Sequence, residues 1–258
     1  MAPRTFPWCS AGWQARTESE DAIRHPAVPL GLVIFDCDGV LIDSEPLCDR
    51  VVASELTELG WPITPAECHH RFIGMSFYDM QPLIEAKLER SLGATWVDGF
   101  VARLTVVLRT EAKPVPGAAE ALVAVTALHL PYRIASNSSH TEMDAKFACA
   151  GMTDLVAGRL HSAVDVIATG GRGKPAPDIF LAAAAAEGVP SEHCLVVEDS
   201  LPGVRGAIAA GMECLGFSPS GDDASLRSIG AALFQSMFDL PALLHARLRY
   251  GRSGRGVA

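Results

Sequence analysis

The stretch Leu32-Val33-Ile34-Phe35-Asp36-Cys37-Asp38-Gly39-Val40 decides how the rest of the chain is read. Its first four residues are an uninterrupted apolar run of strand length, which predicts a buried strand. Asp36 and Asp38 follow, where the strand gives way to a loop. In an extended backbone residues i and i+2 point the same way, so the two carboxylates converge on one small volume. Like charges that close call for a shared proton or a cation between them. Gly39 supplies the freedom for a sharp turn directly afterwards. Aspartate and glycine are also common turn and capping residues at strand ends, and the pair alone fits that simpler role as well.

Working outward, residues from 113 onward alternate between helix and strand patterns. Helices are predicted over 117–129, 140–150 (stopped by Gly151), 178–187 and 201–210, and strands over 132–136, 155–157, 194–198 and 213–217. Alternation of this kind predicts an α/β fold, a Rossmann-like doubly wound and mostly parallel sheet. Residues 46–112 differ. Val51, Val52, Leu56 and Leu59, then Met80, Leu83, Ile84 and Leu88, recur at helical spacing with no clear strand. Ligands of α/β sheets bind at the carboxyl ends of the strands. An inserted helical cap just after the first strand would therefore cover Asp36 and Asp38. The expected organisation is a loose N-terminal extension (1–28), an α/β core (29–45 and 113–246), a helical cap (46–112) and a loose C-terminal tail (247–258).

Composition narrows the function. Of 258 residues, 49% are hydrophobic and 20% charged, as in a packed globular protein. A formal net charge of -9 argues against general nucleic-acid binding. It would also repel an anionic substrate, unless a metal or a cation cluster sits at the site. Seven cysteines, an odd number without a C-x-x-C pair, read as free thiols of a reducing cytosol. Cys37 points to the opposite face from the two aspartates and reads as a small packed thiol. Residues 1–28 carry Glu18, Glu20 and Asp21 and no apolar core of a secretory signal. The last twelve residues carry four arginines and three glycines, which suggests a loose tail. No apolar run approaches the roughly 18 residues of a membrane span. A cytoplasmic monomer is expected, with no membrane or nucleic-acid partner.

Four features fall at or beside strand ends. Asp36 and Asp38 are the first. Ser136 with Asn137, whose hydroxyl and backbone N–H can bind a phosphate oxygen, is the second. Lys174, in Gly173-Lys174-Pro175-Ala176-Pro177-Asp178, is held by prolines that stiffen the backbone. Glu198-Asp199-Ser200 follows the apolar run Leu195-Val196-Val197. Hard carboxylate oxygens suit Mg²⁺, which readily bridges to a phosphate. Lys174 adds positive charge for a phosphoryl oxygen and Ser136 a donor. Each feature has a plainer reading alone; Ser200, for example, is a natural N-cap before Pro202.

As a set, Asp36-x-Asp38-Gly39-Val40, Ser136, Lys174 and Glu198-Asp199 resemble the haloacid dehalogenase superfamily over roughly residues 31–240. The context through Leu41-Ile42-Asp43-Ser44-Glu45 is similar to its phosphatase and β-phosphoglucomutase-like branch with a small helical cap. The resemblance implies that Asp36 attacks phosphorus to form an aspartyl-phosphate. It implies that Asp38 protonates the leaving oxygen and then activates water. An Asp38 that must be protonated when substrate binds is expected to have a raised pKa. The implied Mg²⁺ ligands are Asp36, the backbone carbonyl of Asp38, and Asp199, with Glu198 in or next to the set. Lys174, Ser136 and Asn137 would bind the phosphoryl group of a small phosphate monoester.

The same branch includes phosphosugar mutases, which need a cap histidine, a cap arginine and a second phosphate site. Here Cys48 stands in place of that histidine and Phe77 in place of that arginine. Arg71 and Lys146 could substitute, but both read as solvated surface charges. Glu45-Pro46-Leu47 and the 71–76 loop look more like sugar-phosphate phosphatases, including those acting on 6-phosphogluconate. The candidate specificity residues are accordingly Arg71, Gly74, Met75 and Ser76, although Gly74 could simply end a helix and Met75 simply pack. His69 and His70 read as surface histidines without a metal partner. A non-catalytic phosphate-binding module is a third reading, but it would have no need of Asp36, Asp38 and Asp199 together.

Overall fold

The computed structural model describes residues 28–72, 75–221 and 223–253. The extension expected over 1–28 lies, but for Val28, outside the described residues, as do 254–258.

Six parallel strands form one sheet in the order β3-β2-β1-β4-β5-β6. They are β1 (Leu32–Phe35), β2 (Tyr132–Ser136), β3 (Leu160–Ser162), β4 (Cys194–Glu198), β5 (Glu213–Phe217) and β6 (Ala232–Phe234). β1 and β4 are buried along their whole length. That is what continuous Leu/Val/Ile runs achieve in a parallel sheet covered on both faces. One face packs Val33, Phe35 and Val197 among other apolar side chains. The other packs Leu32, Ile34 and Val196 against Phe180 and Ala183.

After β1 the chain enters four helices, α1 (Glu45–Glu58), α2 (Pro65–Phe72), α3 (Phe77–Leu88) and α4 (Trp96–Glu111). They bury an apolar cluster of their own around Leu56, Phe72, Ile84, Phe100 and Leu104. The two connections run side by side: the Asp43 N–H donates to the Lys113 carbonyl and the Val115 N–H to the Leu41 carbonyl.

The remaining helices are α5 (Ala118–Ala127), α6 (His140–Cys149), α7 (Thr153–Val156), α8 (Ala163–Ala168), α9 (Asp178–Glu187), α10 (Leu201–Ala209), α11 (Ala224–Ser228) and α12 (Leu240–Ser253). Sequence signals set several boundaries. Ser139 and Glu142 form a reciprocal capping box that starts α6. Ser200 caps α10 through the Gly203 N–H. Gly188, at φ 65°, ends the alanine-rich α9.

Two expectations are corrected. Residues 155–157 are not a strand: Thr153–Val156 is a helical turn, and the strand pairing with β2 is Leu160–Ser162. Three apolar residues fit a turn of helix as well as a strand, and the Tyr132 hydroxyl fixes this one by donating to the Leu155 carbonyl at 2.5 Å. Residues 247–253, expected to be loose, instead continue α12. Leu240 and Leu244 bury one face of it. Arg247, one turn on, is buried as well, with Nε 2.8 Å from Glu213 and Nη2 donating to the Val28 carbonyl.

Candidate active site

β1, β2 and β4 lie side by side, so their carboxyl ends bring Asp36, Ser136 and Glu198 together. The order changes direction at β1, the kind of crevice where α/β sheets bind ligands. The helical insertion faces these strand ends across a cavity of about 800 Å³, lined by Asp36, Asp38, Ser136, Asn137, Lys174 and Asp199 on the core side.

Asp36 is buried, and its carboxylate lies 2.6 Å from the Lys174 ammonium. Lys174 also lies 2.6 Å from Glu198 and donates to the Ala135 carbonyl. Glu198 is fully buried; its second oxygen accepts from the Asp199 N–H, the Ser200 N–H and the Ser200 hydroxyl. Glu198 thus ties Lys174 to the loop that presents Asp199. Gly39 and Gly203 are required by close approach: a Cβ on Gly39, itself at φ +77°, would land on the Asp199 carboxylate, and one on Gly203 on that of Glu198.

Asp36, Glu198 and Asp199 can each place one oxygen within 4.8 Å of the others. Three carboxylates share one ammonium, leaving excess negative charge in a buried site. Burial, opposed by Lys174, pushes the Asp36 carboxyl up to about 7, and the Glu198 and Asp38 charges add to the rise. Burial, then the charges of Glu198 and Asp36, likewise raise Asp199. An all-oxygen, charge-deficient cluster of this kind fits a hard divalent cation. The Asp38 carboxylate is not in it.

Asp38 faces a different set of donors. Its Oδ1 accepts from the Ser44 hydroxyl and from Lys146 Nζ, the latter at 2.6 Å. Its Oδ2 accepts from the hydroxyls of Ser138 at 3.0 Å and Ser136 at 3.3 Å. Burial alone would raise this carboxyl. The Lys146 charge and the hydrogen bonds from Lys146, Ser44 and Ser138 outweigh it and hold Asp38 below its usual value. This direction is opposite to the raised pKa expected of Asp38 when substrate binds. The surface reading of Lys146 is corrected, since its side chain is only 3% exposed. Lys146 lies on the buried face of α6 with Met143 and Phe147. Ser44 and Ser138 were not singled out in the sequence.

Ser136 is buried, and its hydroxyl accepts from the Ser138 N–H. Asn137 lines the cavity, and its side-chain oxygen accepts from the Lys174 N–H at 3.3 Å. On the helical side, Met75 and Ser76 line the cavity, and Ser76 caps α3 through the Asp79 N–H. Phe77 lines it as well. Gly74 lies outside the described residues. Arg71 sits over the Trp61 ring, 5.2 Å from its centroid, and is not among the described cavity-lining residues. His70 is exposed, whereas His69 lines the cavity and its Nδ1 is 2.9 Å from Asp49. The six described cysteines are unpaired, and Cys37 is buried in the core. No helix among the described residues is long and apolar enough to cross a membrane.

Known proteins are similar to this chain in sequence and fold. The 6-phosphogluconate phosphatase of Escherichia coli K12 is 30% identical over 216 residues, covering 83% of this chain and 95% of that protein. A haloacid dehalogenase-like protein of unknown function from Agrobacterium tumefaciens superposes with a TM-score of 0.70 at 37% identity, covering 84% of this chain and 98% of the other. A hydrolase of the same family from Deinococcus radiodurans, solved with bound phosphate and sodium, gives 0.70 at 31% identity, covering 85% and 97%. Residues 30–211 match the family as a whole. The chain belongs to the haloacid dehalogenase-like hydrolases.

Proposed function

We propose that this protein is a Mg²⁺-dependent phosphatase that hydrolyses a small phosphate monoester, a sugar phosphate or phosphorylated sugar acid, through an aspartyl-phosphate on Asp36. The observation that carries the reading is the convergence of Asp36, Ser136, Lys174 and Asp199, with Asp38 alongside, at the ends of three adjacent parallel strands. Similarity to a 6-phosphogluconate phosphatase, and to a phosphatase of phosphorylated carbohydrates from Thermotoga maritima, supports the substrate class.

The residues divide the chemistry. Asp36 is the nucleophile: one of its oxygens bonds to phosphorus as the bond to the leaving oxygen breaks. Lys174, the Ser136 hydroxyl and the Asn137 backbone N–H hold the phosphoryl oxygens and offset the charge that develops there. Asp38 gives a proton to the departing oxygen, then takes one from the water that attacks the phosphorus and releases Asp36. Asp36, Asp199 and the Asp38 backbone carbonyl would hold Mg²⁺, with Glu198 buttressing them. When bound, the ion offsets repulsion between a carboxylate nucleophile and an anionic phosphate.

A mutase requires a second phosphate site. Both cations considered for one are committed elsewhere, Arg71 on Trp61 and Lys146 on Asp38. Phosphate release from a panel of monoesters, with and without Mg²⁺, tests the proposal. The panel holds 6-phosphogluconate, hexose 6-phosphates, hexitol phosphates, phosphoglycolate and β-glucose 1-phosphate. Mg²⁺-dependent release that falls by more than about 10³-fold in Asp36→Asn, with folding intact, is expected. Conversion of β-glucose 1-phosphate to the 6-phosphate without release would replace this reading with the mutase.

A further inference from the structure

Lys146 is a buried ammonium that the chemistry above leaves without a task. It projects from α6 into the floor of the cavity, with Nζ 2.6 Å from Asp38 Oδ1 and 2.7 Å from the Ser138 hydroxyl. Desolvating an ammonium is costly, and only a close, well-bonded partner offsets it. The two oxygens of that partner are held differently. Oδ1 receives the charge-assisted bond from Lys146 and the Ser44 hydroxyl. Among the described residues, the donors to Oδ2 are the neutral hydroxyls of Ser138 and Ser136, at 3.0 and 3.3 Å. Charge-assisted bonds are roughly twice as strong as neutral ones. One oxygen is thus anchored. The other is loosely held beside Ser136, on the side where the phosphoryl group would sit.

We infer that Lys146 is a positioning residue for Asp38: it clamps Oδ1 and so presents Oδ2 to the leaving oxygen. The inference rests on the phosphatase reading and assigns the proton transfers to one atom. The phosphoryl anion binding beside Oδ2 raises its proton affinity and draws a proton onto it from solvent. Oδ2–H then gives that proton to the leaving oxygen as the P–O bond breaks and the Asp36–phosphorus bond forms. Oδ2 then takes a proton from water as the water oxygen bonds to phosphorus and the Asp36–phosphorus bond breaks. Lys146 neither gains nor loses a proton in either step. Ser44 belongs to the same clamp, and Ser138 bridges the two oxygens through Lys146.

Leaving groups of different basicity separate this role from a merely structural one. An alkoxide needs protonation as it departs, whereas p-nitrophenolate is a weak base and does not. The parameter kcat/KM covers events up to departure of the leaving group, and so reads the first proton transfer alone. Wild type, Lys146→Met and Lys146→Gln are compared with Mg²⁺ on a hexitol phosphate and on p-nitrophenyl phosphate. The glutamine variant keeps a donor and serves if the methionine variant does not fold.

The expected result is a loss of about 10²-fold in kcat/KM on the hexitol phosphate. On p-nitrophenyl phosphate the change should stay within about 3-fold, since no proton is needed there. In an Asp38→Ala background the same Lys146 substitution should cause no further loss on the hexitol phosphate. Equal losses on both substrates, or an additive loss in the Asp38→Ala background, would overturn the positioning role while leaving the phosphatase reading intact. A wild type that releases phosphate from neither substrate nor any other monoester overturns both.

Discussion

Lys174 is the charge on which the site turns. Its ammonium lies 2.6 Å from both Asp36 and Glu198, and all three side chains are almost wholly enclosed. Removing it leaves two buried carboxylates facing each other without a cation. Breaking a buried ion pair from one side costs about 3–5 kcal/mol. Lys174→Met is therefore expected both to abolish turnover and to lower the thermal midpoint markedly, whereas Asp36→Asn, which removes a charge from an overcharged cluster, should leave the midpoint level or raised. Thermal denaturation of both variants in metal-free buffer checks the contrast; equal destabilisation would show that Lys174 does not hold the cluster together. Asp36, Asp38, Ser136, Lys174 and Asp199 were legible in the sequence because each sits at or just beyond a strand end or beside a pair of bracing prolines. Lys146 was not. One lysine in a ten-residue helix reads as solvent-facing until the packing of α6 turns it toward Asp38.

At the scale of elements, long buried strands and well-capped helices announce themselves, while short edge elements do not. β2, β4, β5 and α9 have the bounds that their patterns predict. β3 and β6 are three residues each, too short for periodicity to distinguish from a turn of helix. α12 was hidden for another reason. Its last turns are rich in arginine, and composition cannot show that Arg247 reaches back to Glu213 on β5 and to the Val28 carbonyl before β1. Arg247 thereby ties α12 to two other segments of the core. With its side chain 4% exposed and that of Glu213 19%, the pair is close to fully enclosed. Arg247→Met should destabilise the protein by about 3 kcal/mol by leaving Glu213 unpaired. Because Arg247 is not among the residues lining the phosphoryl cavity, kcat should stay near wild type below the new midpoint. Urea unfolding and steady-state rates on one preparation test both halves, and an unchanged midpoint would show that the ion pair contributes nothing.

For the whole molecule, the sheet order explains why the chemistry sits where it does, and the edge strand β3 shows what placing polar groups around the sheet does to stability. β1 lies centrally between β2 and β4, so residues far apart in sequence share one crevice. His161 lies on β3, outside that crevice, and its Nε2 is buried without a hydrogen-bond partner among the described residues. Burial first, then the positive charges of Arg133 and His140, disfavour its protonated form, against smaller opposing effects of Glu187 and Asp165, so its pKa falls below the ordinary 6.5. The sign of the consequence follows from linkage. Above the unfolded value near 6.5 neither state holds the proton, and the neutral ring carries no penalty. As the pH falls below that value, the unfolded chain takes up a proton that the folded chain refuses, and stability drops. The drop levels off once the pH passes the lowered folded value. His161→Gln has no proton to take up there, so the wild type should lose more stability than the variant between pH 7.5 and 5, with the gap opening below about 6.5. Thermal midpoints of the two proteins across that range decide it, because other titrating groups are common to both and cancel in the difference. Parallel curves would mean that β3 accommodates a charged imidazole without cost, and that the acid sensitivity of this fold arises elsewhere.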